Sequence, residues 1–173
     1  MNPRGKAPTP IRSVLRTESA LTKLVADGLN ALEDRHRSYI NAAIRTSFSD
    51  SLEIDNNLKE GHDQQNRWDY LLGHSEGAWV VGLEPHSAKD DQVSNVIRKR
   101  KAALQQLKPH LKEGAKVAEW FWVAAKRNQF SDTERTRRLL DQNGIRFVCP
   151  ELAAKHLAGL AKQSASDRRE RDR

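Results

Sequence analysis

The 173-residue chain contains a single cysteine, Cys149, which excludes an intramolecular disulfide and a cysteine-based zinc site. No run approaches the roughly 18 apolar residues of a membrane-spanning helix. The basic N-terminus is not followed by the apolar segment of a signal peptide. Phosphate-binding loops, dinucleotide-binding glycine motifs and internal repeats are also absent. These absences predict a cytoplasmic protein without membrane association.

The sequence is rich in charged residues. Charged residues make up 31% of the chain, the formal net charge is +7, and the mean hydropathy is -0.79. This balance favours a polyanionic partner, although basic tails alone produce the same total. Residues 48–76 hold seven acidic and two basic residues, whereas residues 87–112 hold seven basic and two acidic residues. An acidic segment therefore precedes a basic one, as a metal-and-phosphate site requires and as solvated surfaces also show.

The length predicts one domain over residues 19–162, preceded by a basic, flexible arm (1–18) and followed by a charged, flexible tail (163–173). Residues 67–72 and 78–86 are apolar runs split by a turn with glycine at both ends, which predicts a β-hairpin. Alternation along the second strand places Trp79, Val81 and Leu83 on one face, and Val80 and Glu84 on the other.

Periodicity predicts helices over residues 19–47, 89–107, 131–143 and 151–162, with Gly28 weakening the first. Strands are expected at 116–125 and 145–148, and a short edge strand is expected at 51–54. A strand, a helix and a second short strand predict a parallel crossover. The fold class is therefore α/β, a single domain with a mixed β-sheet flanked by helices.

Asp69 and Glu84 are the leading candidates for chemistry, because each interrupts one of two adjacent apolar strands. Two carboxylates at one sheet edge can hold Mg²⁺. Alternatively, Asp69 pairs with Arg67 or with a helix residue, and Glu84 caps a strand end. His86 shares a face with Glu84, where it could ligate a metal, act as a base, position water or simply be solvated.

The helix after the hairpin supplies the cations. Lys101 follows Ile97 by four residues and is our choice for the catalytic ammonium. The remaining basic residues are candidates for phosphate contacts, although most charge runs are solvated faces. These nucleic-acid-binding candidates are Lys89, Arg98, Lys99, Lys126 and Arg127.

These residues resemble the PD-(D/E)XK nuclease superfamily. Asp69 matches the motif Asp, and Glu84-Pro85-His86 matches the Glu-x-Lys element with His in the Lys position. The resemblance implies a restriction-endonuclease-like core over residues 19–148, with residues 19–47 as its first helix. It also implies cleavage of DNA or RNA with Mg²⁺ or Mn²⁺ bound by Asp69, Glu84 and the Pro85 carbonyl. In such variants the following helix can supply the cation, which keeps Lys99 and Lys101 as candidates.

Three functions remain open at this point. The first is a metal-dependent nuclease, in which Asp69, Glu84, His86 and Lys101 are catalytic. The second is a catalytically inactive nuclease-like domain that binds nucleic acid or a protein. The third is a structural interaction protein whose basic tails set its charge. A homodimer is left open in each case.

Overall fold

The computed structural model describes residues 8–57, 67–126 and 133–160. Within these ranges the chain forms a six-stranded sheet whose strands neighbour one another in chain order. The strands are β1 (Ala26–Asp27), β2 (Phe48–Glu53), β3 (Tyr70–His74), β4 (Trp79–Pro85), β5 (Glu119–Val123) and β6 (Ile145–Val148). Strands β1 to β4 pair antiparallel, whereas β4, β5 and β6 run parallel. The predicted mixed sheet, hairpin and parallel crossover are therefore confirmed.

Helices flank the sheet. They are α1 (Pro10–Val14), α2 (Asp34–Arg37), α3 (Val93–Leu107), α4 (Glu134–Gln142) and α5 (residues 154–160). The Thr133 side chain caps α4 by accepting a hydrogen bond from the Thr136 N–H at 3.2 Å. Ser131 and Asp132, the first two residues of the predicted helix 131–143, lie outside the described residues. None of the helices in the described ranges has the length and apolar composition of a membrane span.

Each face of the sheet carries its own core. Trp79, Val81 and Leu83 of β4 belong to the core that also contains Leu157 of α5. Val80 belongs to the opposite core, which α1, α3 and α4 cover. The strand alternation predicted for β4 is confirmed, and it directs Glu84 towards α3.

The segment 19–47 is not the helix that its apolar spacing predicts. It contains two 3-10 helices, Ala20–Leu24 and Ala42–Ser47, with β1 and α2 between them. Ser19 and Asn41 start the 3-10 helices by accepting backbone N–H hydrogen bonds. Gly28 has a φ of 56°, which a right-handed helix does not contain. These local signals outweigh the periodicity, and the expected first helix of the nuclease-like core is absent from this segment.

The described part of the segment 1–18 belongs to the folded domain rather than to a loose arm. Ile11 and Leu15 are buried in the core that α3 also covers. The buried carboxylate of Asp50 accepts the backbone N–H groups of Ile11 at 3.0 Å and Arg12 at 3.3 Å. Gly73 leaves room for this carboxylate, since a Cβ there would collide with it. Residues 1–7 and the expected tail lie outside the described residues.

Candidate active site

Two carboxylates lie side by side where β3 begins and β4 ends. Asp69 immediately precedes β3, and Glu84 is the last residue but one of β4. Since Tyr70 pairs with Leu83, the antiparallel register brings Asp69 opposite Glu84. The Asp69 backbone N–H donates to Glu84 Oε2 at 3.1 Å. The pairing of the hairpin therefore creates this acidic pair.

Lys99 of α3 completes the site. Its Nζ donates to Glu84 Oε1 and lies 3.8 Å from Asp69 Oδ1. Position 99 follows the buried Val96 by three residues and precedes the buried Ala103 by four, so all three share one helix face. The three charged residues are called the Asp69–Glu84–Lys99 cluster below.

Burial governs the protonation of this cluster. The Glu84 side chain is fully buried, whereas those of Asp69 and Lys99 are 22% and 17% exposed. Burial and the neighbouring Asp69 raise the pKa of Glu84 to about 8, although Lys99 acts in the opposite direction. Burial also raises the pKa of Asp69. For Lys99, burial lowers the pKa, but the two carboxylates outweigh burial and the net direction is upward. Burial therefore favours the protonated form of Glu84, and the neighbouring carboxyl groups favour the charged form of Lys99.

A histidine–tyrosine pair, which the sequence analysis missed, lies beside the cluster. His36 Nδ1 is 2.8 Å from Tyr70 Oη, and the Glu33 backbone N–H donates to the same oxygen at 3.4 Å. Burial lowers the pKa of His36, and the negative charge of Asp69 partly opposes this effect. Burial raises the pKa of Tyr70 to about 12. No sequence spacing links position 36 to position 70, so only the fold shows this pair.

The surroundings of the cluster are acidic. Arg67, considered above as a partner of Asp69, donates through Nε to Asp55 at 2.9 Å. The negative charge of Asp55 raises the pKa of both Asp69 and Lys99. Burial raises the pKa of Glu53, and the charge of Asp69 adds to that effect. Asp55 and Glu53 therefore add carboxylate groups to the surroundings of Asp69.

The structure places Lys101, our choice for the catalytic ammonium, at an exposed position on α3. The buried stripe of α3 passes through Val96 and Ala103, and Ile97 lies at its edge. A residue four positions after Ile97 therefore points outwards, and Lys99 instead contacts the carboxylates.

His86 lies at the same end of β4 and is half-buried. Its Nδ1 is 3.1 Å from the Ser87 carbonyl oxygen, and the positive charge of His86 acts to lower the pKa of Asp69. Lys89, Arg98 and Lys126 are exposed.

Lys126 follows β5, which is parallel to β4, so it lies at the sheet edge where Glu84 is found. Arg127 lies outside the described residues.

The donor chemistry of the cluster fits a divalent cation. Asp69 and Glu84 supply hard oxygen ligands, and an ammonium already lies within ion-pair distance of both. Across residues 8–57, 67–126 and 133–160, no group of three or more His, Cys, Asp or Glu side chains is arranged to hold a metal. Two carboxylates therefore need the Pro85 carbonyl, water or substrate oxygens to complete a magnesium shell, and Mg²⁺ commonly keeps several waters.

Comparisons of the chain with protein-family models, curated proteins and solved structures find no match. A function must therefore be inferred from the chemistry of the cluster and its surroundings.

Proposed function

We propose that this protein is a metal-dependent nuclease, which hydrolyses phosphodiester bonds in nucleic acid and is organised as a variant PD-(D/E)XK core. The observation that carries the proposal is the convergence of Asp69, Glu84 and Lys99 at one sheet edge. Two carboxylates and one ammonium are the charges needed to hold a divalent cation and to stabilise a phosphoryl transition state.

The order of elements supports this proposal. A strand beginning beside Asp69 is followed by a strand carrying Glu84, then by α3 with Lys99, then by β5. In the resemblance, the cation of the Glu-x-Lys element can come from the following helix when another residue replaces it. His86 occupies the motif position, and Lys99 of the following helix contacts Glu84. In this proposal Lys99, rather than Lys101, supplies the catalytic ammonium.

Each residue of the cluster has a distinct task in this proposal. Asp69 and Glu84, with the Pro85 carbonyl, would hold Mg²⁺ or Mn²⁺, which supplies activation of water and neutralisation of phosphate charge. Lys99 is placed to stabilise the negative charge that develops on the phosphodiester. The half-buried His86, which interacts electrostatically with Asp69, can orient water or accept a proton.

The exposed cations at this end of the molecule supply a surface for the nucleic-acid backbone. Lys89 follows β4, Lys126 follows β5, and Arg98 lies on α3. Lysine and arginine neutralise phosphates and give affinity that falls steeply with salt. The net charge of +7 has the same sign as this surface.

Purified protein should cut single-stranded or double-stranded DNA or RNA with Mg²⁺ or Mn²⁺, and EDTA should stop the reaction. Asp69→Asn, Glu84→Gln and Lys99→Met should abolish cleavage while circular dichroism shows a folded chain. Lys101→Met is the matched control, because it removes an exposed ammonium from the same helix. Equal loss in Lys99→Met and Lys101→Met would contradict the proposed site.

A second candidate is a nuclease-like domain that binds without cutting. This candidate is favoured because both carboxyl oxygens of Glu84 already accept hydrogen bonds, one from Lys99 and the other from the Asp69 backbone. Such a network can serve the fold alone. Salt-sensitive binding without cleavage of any of the four nucleic-acid types, with either metal, would select this candidate.

A further inference from the structure

A cavity of about 630 Å³ opens between the C-terminal half of α3 and the segment that leads into β5. No member of the Asp69–Glu84–Lys99 cluster lines it. Leu104, Leu111 and Val117 contribute apolar surface, and Leu104 is 42% exposed. An accessible leucine in a concave site is typical of ligand pockets, which combine apolar walls with a few polar groups.

The rim of this cavity is held by backbone hydrogen bonds between two distant segments. The Arg16 N–H donates to the His110 carbonyl at 2.8 Å, and the Lys112 N–H donates to the Val14 carbonyl at 2.9 Å. Arg16 Nε donates to the Leu111 carbonyl at 2.7 Å, which fixes its guanidinium at the rim. The cavity is therefore formed by the fold itself and needs little rearrangement to accept a ligand.

The charge of the cavity is strongly one-sided. One acidic residue, Glu113, lines it together with five basic residues, which are Arg16, Arg100, Lys108, Lys112 and Lys116. Arg100 lies with its guanidinium carbon 5.8 Å from the Trp120 ring centre. Its Nε is buried and has no hydrogen-bond partner among the described residues. The excess of basic residues favours an anionic ligand.

We propose that this cavity binds a small organic anion, whose apolar body lies on Leu104 and whose carboxylate, sulfonate or phosphate meets the basic residues. A neutral apolar ligand would leave the charges of the basic residues uncompensated. A simple inorganic anion would leave Leu104 exposed to water. Only a ligand with both features matches the whole lining. This site is independent of the nuclease proposal, because the two share no residue.

The test uses the full-length protein and the fluorescent aromatic sulfonate 8-anilinonaphthalene-1-sulfonate as the probe. Saturable binding of one probe per chain is expected, with displacement by decanoate. Decanol and inorganic phosphate should each displace the probe about tenfold less well than decanoate, since each offers only one of the two interactions.

Leu104→Glu and Lys116→Glu should each weaken probe binding by about tenfold or more. Leu24→Glu is the matched control, because Leu24 is also exposed, at 45%, and does not line the cavity. The proposal is overturned if the probe does not saturate, if Leu104→Glu binds as the wild type does, or if decanol equals decanoate. Displacement by an oligonucleotide but not by decanoate would overturn it in favour of a nucleic-acid surface.

Discussion

Replacing Lys99 by methionine tests how much the ammonium beside Asp69 and Glu84 contributes to the free energy of unfolding. Methionine keeps much of the length and the apolar stem of lysine and removes only the charge. Lys99 Nζ contacts Glu84 directly and lies 3.8 Å from Asp69 Oδ1, so the variant leaves a fully buried carboxyl group without its cation. Breaking a buried pair by removing one partner costs about 3–5 kcal/mol. Lys101→Met, an exposed position on the same helix, should change the free energy of unfolding by less than about 0.5 kcal/mol.

The loss of stability in Lys99→Met should increase with pH, because the carboxyl group of Glu84 ionises as pH rises. The ordinary pKa of a Glu side chain is 4.5, and that of Glu84 is about 8 in the folded chain. Folding therefore favours the protonated carboxyl, whose contribution to stability is complete below about pH 4.5 and is lost as pH rises to 8. At about 1.4 kcal/mol per pKa unit, this loss is about 5 kcal/mol in the wild type. Without the ammonium, the pKa of Glu84 rises further and the loss continues above pH 8.

Urea denaturation of the metal-free wild type and both variants at pH 4.5, 6.5 and 8.5 measures these differences. The gap between the wild type and Lys99→Met should be small at pH 4.5, where Glu84 is protonated in both proteins, and largest at pH 8.5. Lys101→Met should follow the wild type throughout. A gap of equal size at all three pH values would refute the reasoning, because the ammonium would then contribute only packing.

Four further outcomes are expected. Gly82→Ala should destabilise the fold by about 2 kcal/mol in urea denaturation, because a Cβ there meets a tryptophan ring of β5. Gly159→Ala, with open space on α5, should be neutral or stabilising by up to about 1 kcal/mol. Asp50→Ala should cost about 2 kcal/mol and speed amide hydrogen exchange in α1, since two backbone N–H groups lose their acceptor. Magnesium affinity, measured by titration calorimetry, should rise with pH up to about 8 and lose this dependence in Glu84→Gln, because a ligand carboxyl must ionise.

The hairpin and the strands after it could be predicted because their signals are local. Apolar runs split by glycine-containing turns specify β3 and β4, and alternation assigns Glu84 to a face. Pairing of two adjacent strands then brings Asp69 opposite Glu84 without any knowledge of distant residues. The part of the site that lies on the hairpin was therefore accessible from sequence.

The segment 19–47 could not be predicted because its apolar residues serve two different cores. Leu21 lies in the core under α3, whereas Leu32 and Ile40 lie in the core on the opposite face. Helical spacing among residues that end on different faces of a sheet is coincidental. Gly28 and the cap at Asn41, both inside the predicted helix, were the local evidence against it, and these residues prevailed over periodicity.

Helical spacing alone could not determine whether Lys99 or Lys101 contacts the carboxylates. Both lysines lie one helical turn after a buried apolar residue. The pattern alone therefore selects Lys99 if Val96 is taken as the reference, and Lys101 if Ile97 is. Ile97, the reference for Lys101, lies at the edge of the stripe, whereas Val96, three residues before Lys99, lies at its centre. The rotation of α3 on the sheet decides the matter, and that rotation is set by the packing of its buried face. The contact of Lys99 with Asp69 and Glu84 is therefore set by tertiary packing, even though the two carboxylates can be identified from the strand pattern.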